Sequence, residues 1–356
     1  MNAAAIVADY RRVLRERLPL IDLRAPTEFA RGAFAHAVNL PLLTDSERAA
    51  VGTRYKACGQ QAAIALGEEL VAGGTRAARI EAWHSFVTTH PTALLYCWRG
   101  GLRSAIAQDW LHAAGVEIGR VAGGYKALRQ TCLNVIQAFS AGQRLLVLGG
   151  RTGSGKTALL REFERAVDLE ALAKHRGSAF GATASPQPTP IGFENELAVE
   201  LLNKTSPRPV LLEDESRTIG RLAVPDALHA AMQAAPIVVL DVPRSERAQH
   251  IFREYVEAPV CSGADLARIH QRFVHAVDRI RRRLGGLRHA SIRTAIDSAF
   301  AAQPISTELH LAWISLLLEW YYDPMYDHQL TAKQGRVTLR GDRTTVAAHL
   351  RRVLAE

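Results

Sequence analysis

The sequence predicts an α/β protein built on parallel sheets with helices on both faces. Two observations carry that prediction. Short apolar runs of strand length alternate with longer segments of helical spacing. Two of those runs end in loops rich in glycine and cations, Tyr96-Cys97-Trp98-Arg99-Gly100-Gly101-Leu102-Arg103-Ser104 and Gly150-Arg151-Thr152-Gly153-Ser154-Gly155-Lys156-Thr157. Loops of this kind belong where a parallel strand hands over to a helix, because the helix N-terminus there offers free N–H groups to an anion.

With 356 residues the chain has room for two domains or three small ones; the reading is two, at 1–138 and 139–356, the second ending in a helical region. Hydrophobic residues make up 48% and charged residues 22%, enough for an ordinary core in each half. No apolar run reaches the length of a membrane span, and Met1 to Tyr10 lack the pattern of a secretory signal. Cys58, Cys97, Cys132 and Cys261 are widely spaced with no C-x-x-C pair, which argues against a disulfide framework or zinc ribbon. The expectation is a cytoplasmic protein without a membrane partner and with no metal ligand set. A formal net charge of +9 suits a polyanion such as nucleic acid, although many basic proteins bind none.

In chain order, Leu18 to Arg24 reads as a buried strand, and Ala93 to Tyr96 as another that runs into Cys97. Ser104 to Ala113 has helical spacing and ends at Gly115; Val121-Ala122-Gly123-Gly124-Tyr125 is a strand end and turn. A second unit starts near Gln143 with the strand Leu145 to Leu148, the glycine loop, and a helix from Lys156 to about Ala166. Val210 to Leu212 and Ile237 to Leu240 are further strands. The stretch Gly177 to Asn195, rich in Gly, Ser, Thr and Pro, reads as a functional loop inside that domain. Asp265 to Ala299 reads as helix with an arginine-dense face, and Leu309 to Tyr322 as a buried helix.

Cys97 is the candidate nucleophile. Backbone N–H groups and the following helix N-terminus, with Arg99 and Arg103, favour a thiolate and hold an anion against it. The other three cysteines lack such surroundings and read as structural. The spacing from Cys97 to Arg103 is C-x5-R. The second loop matches G-x-x-x-x-G-K-[ST], whose backbone wraps a diphosphate or triphosphate while Lys156 adds charge and Thr157 reaches toward a magnesium ion. Glu213 or Asp214, after the strand Val210 to Leu212, is placed to complete that site. Arg268, Arg272, Arg279, Arg281, Arg282, Arg283 and Arg288 crowd one stretch with Asp278 as the only acid among them; this is either a solvated face or a phosphate-backbone site.

The run Ile21-Asp22-Leu23-Arg24, then Glu28-Phe29, then Gly32 through Asn39-Leu40-Pro41, with Val121 to Tyr125 closing, resembles the rhodanese family over roughly residues 10 to 135. That resemblance implies a loop cysteine that carries sulfur or selenium as a persulfide or perselenide. The C-x5-R loop is one residue longer than the usual sulfurtransferase loop. It leaves room for a tetrahedral oxyanion, as in the cysteine phosphatases of the same fold, but no leaving-group acid is visible in it.

A rhodanese-like domain fused to a P-loop NTPase-like α/β domain with C-terminal helices resembles the tRNA 2-selenouridine synthase family. The residues that carry this are the two loops, Phe193-Glu194-Asn195, Glu213-Asp214-Glu215-Ser216-Arg217 and Tyr321-Tyr322-Asp323-Pro324-Met325-Tyr326-Asp327. The resemblance implies a transferase that acts on wobble 2-thiouridine of tRNA through an S-geranyl intermediate. Geranyl diphosphate and selenophosphate would be the donors, with selenophosphate synthase a candidate supplier. It implies no tightly bound cofactor beyond magnesium accompanying the diphosphate. Cys97 would be the catalytic nucleophile, with Trp98, Arg99, Gly100, Gly101, Leu102, Arg103 and Ser104 forming the selenophosphate loop. Gly150 to Thr157 would bind diphosphate, and Arg279, Arg281, Arg282 and Arg283 would bind tRNA. The geranyl chain would lie in an apolar channel lined by Ile191 to Leu202 and Leu309 to Leu318. An ATP-dependent tRNA sulfurtransferase and a non-catalytic nucleotide-binding module are the alternatives.

Overall fold

The computed structural model describes residues 6–177, 180–181 and 185–355. The chain forms two units. One comprises residues up to 137 together with 188–203, and the other residues 138–187 and 204–355. The segment 188–203 thus lies outside the second unit, although it follows residue 138 in the chain, and packs within the first.

The first unit is built on five parallel strands, β1 (Ile6–Val7), β2 (Leu20–Asp22), β3 (Ala37–Asn39), β4 (Leu94–Tyr96) and β5 (Gly119–Val121), in the order β1-β5-β4-β2-β3. β4 is the middle strand and buried at every position, as its apolar run requires. Ile21, Leu23, Leu95, Trp83, Ala107 and Leu111 make the core beneath one face. Two helical segments, Asp45–Leu70, interrupted by a kink at Gly59 (φ +79°), and Gly73–Thr89, separate β3 from β4, and neither is among the elements expected from the sequence. The first has a reciprocal cap: Thr44 Oγ1 accepts from Glu47 N, and Glu47 accepts from Thr44 N at 2.7 Å.

The helix Pro190–Lys204 completes this unit. Glu194 and Asn195 both take hydrogen bonds from Arg129, Asn195 at 2.9 Å, and Asn195 donates to Ala33 O at 3.2 Å. Glu196 pairs with Arg17 at 2.8 Å and accepts from Ala35 N at 3.1 Å. The Phe193-Glu194-Asn195 motif is thus a clip on the first unit.

The second unit carries strands β6 (Leu145–Gly150), β7 (Ala166–Val167), β8 (Val210–Glu213), the short hairpin β9 (Thr218–Ile219) and β10 (Leu222–Ala223), β11 (Ile237–Leu240) and β12 (Val337–Gly341). The parallel sheet runs β12-β11-β6-β8-β7, with β6 in the middle. Each unit therefore places its glycine-containing loop at the carboxyl end of its central strand, where neighbouring strands diverge to opposite sides and leave a crevice.

Several helices differ from their sequence reading. The helix after the glycine loop spans only Lys156–Leu160, because the chain turns to enter β7. The stretch 265–299 is three helices, Leu266–Arg279, Arg281–Leu284 and Gly286–Ala301. Its main break falls at Gly285-Gly286, where glycine destabilises a continuous helix. Thr307–Leu317 continues through a wide turn, Leu318–Tyr322, into Asp323–Lys333. Among the described residues no helix is long and apolar enough to cross a membrane.

Candidate active sites on the two units

Cys97 follows β4 and is only 3% exposed. Its Sγ lies 3.5 Å from Ser104 Oγ, which in turn donates to Gly101 O at 2.9 Å. The loop is pinned from below by the closing turn: Tyr125 N donates to Cys97 O at 2.9 Å and Lys126 N to Trp98 O at 3.0 Å. Gly124, at φ +59°, makes that approach feasible, since a Cβ there would collide with Cys97 O and Gly100 N. Arg120 adds a bond to Gly100 O at 3.2 Å.

Arg103 does not stand free over the loop. It pairs with Glu28 at 2.8 Å, and Arg48 approaches the same carboxylate at 3.7 Å. Burial alone would raise the Glu28 pKa, but the Arg103 hydrogen bond and charge hold it below its ordinary value. Arg99 is exposed. The Asp22-x-Arg24 pair is a buried support: Arg24 binds Asp22 at 2.6 Å, Tyr96 OH donates to Asp22 at 2.6 Å, and the guanidinium lies 3.7 Å from the Tyr125 ring centroid. Cys132 is buried with its thiol pushed up to about 12 by that burial, the profile of an inert core cysteine.

In the second unit the glycine loop leaves β6 and turns through Gly153 and Gly155, at φ +81° and +78°, conformations that L side chains rarely adopt. Lys156 Nζ folds back to Gly150 O at 2.7 Å, and the Ser154 hydroxyl is buried with no hydrogen-bond partner among the described residues. The loop is held from outside by the Tyr321–Asp327 motif. Arg247, 2% exposed, donates to Thr152 O at 3.1 Å and forms a bidentate pair with Asp323. Arg151 pairs with Asp327 at 2.7 Å, so its side chain braces the loop, and Tyr326 OH would lie 3.1 Å from a Cβ at Gly149.

Of the two candidate acids, the structure separates the roles. Asp214 is bound to Lys333 at 2.6 Å. Glu213, 1% exposed at the end of β8, instead gathers with Glu170 and Glu215, one carboxylate oxygen from each lying within 4.8 Å of the others. Thr157 Oγ1 lies 3.4 Å from Glu170, and Glu213 Oε1 is buried without a hydrogen-bond partner among the described residues. Burial first, then mutual repulsion, pushes the pKa of Glu170 up to about 9 and that of Glu215 up to about 7; Glu213 is raised too, chiefly by burial. Glu170 escaped the sequence reading, although Asp168-Leu169-Glu170 directly after β7 was a usable signal.

These groups line a cavity of about 1700 Å³ within the second unit. The glycine loop and the glutamates line it, as do Phe180, Phe273, Trp313, Ile314, Leu317 and Leu318, which belong to one apolar cluster. Of the stretch 309–318 it is Trp313, Ile314, Leu317 and Leu318 that line the cavity, whereas Ile191 to Leu202 packs in the first unit, with Phe193, Leu197 and Leu201 in its interior. The basic tract also divides: Arg279 and Arg283 line the cavity, while Arg281 and Arg282, both exposed, are absent from its wall.

A G-x-x-x-x-G-K-[ST] loop with adjacent acids, and a buried thiol in a glycine-bearing loop, each following the central strand of its own parallel sheet, mark an α/β protein of P-loop type with two candidate sites. A family model described as tRNA 2-selenouridine synthase AAA domain matches residues 143–356. Proteins named tRNA 2-selenouridine synthase from Shewanella frigidimarina and Cupriavidus necator are 45% and 46% identical to it, covering 95% and 97% of this chain and 96% and 97% of theirs. One from Pseudomonas fluorescens is 46% identical, with 97% of each chain covered. The chain belongs to the tRNA 2-selenouridine synthase family.

Proposed function

We propose that the protein converts the wobble 2-thiouridine of tRNA to 2-selenouridine, by S-geranylation in the cavity of the second unit and selenium substitution at Cys97. The observation that supports this most is the mixed lining of the cavity: a glycine loop with Lys156 and an aromatic and aliphatic cluster together suit an allylic diphosphate.

In the first step the thiocarbonyl sulfur attacks C1 of the geranyl chain, the C1–O bond breaks, diphosphate leaves and the uracil N3 proton goes to solvent. Lys156 and the loop N–H groups bind the leaving diphosphate. Thr157 with Glu170, Glu213 and Glu215 fits a magnesium ion, since three converging carboxylates with one unpartnered buried oxygen are a hard oxygen donor set. Such an ion would supply positive charge beside the diphosphate.

In the second step the Cys97 thiolate attacks the phosphorus of selenophosphate and the P–Se bond breaks to release selenide. Selenide adds at C2 and expels geranylthiolate, and water then hydrolyses the cysteinyl thiophosphate. Arg99 and Arg103 hold the phosphoryl oxygens, Arg103 from the position Glu28 gives it. This order is redox-neutral; a perselenide on Cys97 would need a reductant to reach the same product.

The experiment is Cys97→Ser with tRNA, geranyl diphosphate and selenophosphate, read by mass spectrometry of the nucleosides. Geranylated thiouridine should accumulate with no selenouridine and unchanged tRNA affinity. Selenouridine at the wild-type rate would remove Cys97 from the chemistry.

A further inference from the structure

Trp98 adjoins the nucleophile and is 40% exposed, while Cys97 itself is 3% exposed. The side chain is not loose. Its ring stacks on Tyr125 with centroids 5.5 Å apart and planes at 24°, and its backbone carbonyl is fixed by Lys126 N. Tyr125 is only 4% exposed and is backed by Arg24, which Asp22 holds bidentately. A buried column of Asp22, Arg24 and Tyr125 therefore supports an indole whose exposed surface lies beside the thiol loop. The loop's other large apolar side chain, Leu102, is 47% exposed.

Exposure of one aromatic is ordinary; what sets Trp98 apart is that its ring is held in place by Tyr125 directly beside the candidate nucleophile. A wobble nucleotide brought to Cys97 has left its neighbours in the anticodon stack and needs a new π-surface. We propose that Trp98 is the platform on which the pyrimidine ring of the modified uridine stacks while its C2 is presented at Cys97. This rests on the function proposed above. It makes Trp98 a positioning residue for the nucleobase rather than part of the anion loop.

Loss of one base–aromatic stack weakens binding by about ten- to a hundredfold. Trp98→Leu and Trp98→Tyr should be compared using an anticodon stem-loop with S-geranyl-2-thiouridine at the wobble position, together with selenophosphate. The leucine variant should raise KM for the stem-loop by that factor, and tyrosine should restore most of it. Iodoacetamide alkylation of Cys97 without RNA should proceed at the wild-type rate in both. An unchanged KM in Trp98→Leu overturns the proposal. So does an alkylation rate that falls in step with turnover, because Trp98 would then act by shaping the thiol loop. In the wild-type protein, a stem-loop with 5-iodouridine at the wobble position should photo-cross-link to the peptide that contains Trp98; adducts confined to other peptides also overturn it. If Cys97→Ser still forms selenouridine, the reading of the site fails, whatever Trp98 does.

Discussion

Arg247 and Asp323 face each other in a bidentate ion pair with both N–O distances at 2.8 Å, and the same guanidinium reaches Thr152 O in the phosphate loop. The C-terminal helices thus set the position of a loop more than a hundred and fifty residues earlier. Asp323→Ala would leave a guanidinium buried and unpaired. The expected cost is about 3–5 kcal/mol of stability, measured by urea unfolding. A loss below about 1 kcal/mol would show that the loop is held by other means.

Lys156→Ala should block geranylation, since the diphosphate loses its nearest point charge. Supplying tRNA that is already geranylated should restore selenouridine formation, because Cys97 lies on the other sheet. Normal geranylation by the variant would show that the loop binds something else.

The glutamate cluster makes stability depend on pH in a defined direction. Glu170 and Glu215 have folded pKa values of about 9 and about 7, against an ordinary 4.5. The folded protein therefore holds protons that the unfolded chain releases, and stability falls as pH rises from about 4.5 towards 9. Melting in EDTA should show that fall, and Glu170→Gln should flatten it. Magnesium should raise the melting temperature most at the alkaline end, where the carboxylates are freed to bind it. A flat profile in EDTA would contradict the arrangement.

Replacing Arg281 and Arg282 by alanine should weaken tRNA binding and make it less sensitive to salt. The slope of log affinity against log salt should fall by roughly 0.7–0.9 for each phosphate that is no longer neutralised. Arg279 and Arg283 stand on the cavity wall, so their replacement should also raise KM for the prenyl donor. An unchanged salt slope in the double variant would identify Arg281 and Arg282 as a solvated face.

Both candidate sites were legible in the sequence because each is local: a strand, a glycine-bearing loop and a helix in consecutive chain, over residues 94–113 and 145–160. Pairings over long separations were not. Nothing around Arg103 announces Glu28, and only the fold brings Glu170 to Glu213 across β7 and β8. The long helix Asp45–Leu70 was missed although Thr44-x-x-Glu47 is a start signal, because its exposed face lacks a clear apolar period. The single arginine-rich helix proved to be three: Gly285-Gly286 makes one break by outweighing helix-forming neighbours, and the other, at Ile280, has no such signal in its residue type.

The helix Pro190–Lys204 has a consequence for how the protein is made. A ribosome that has released residue 137 has produced every strand of the first sheet but not the clip that receives Arg129 and Arg17. That clip emerges only after β6, the phosphate loop and β7 have been synthesised. The nascent first unit must therefore wait, unfinished, while its neighbour is begun, and a gene cut near residue 138 would yield a complete sheet that lacks the helix covering one flank.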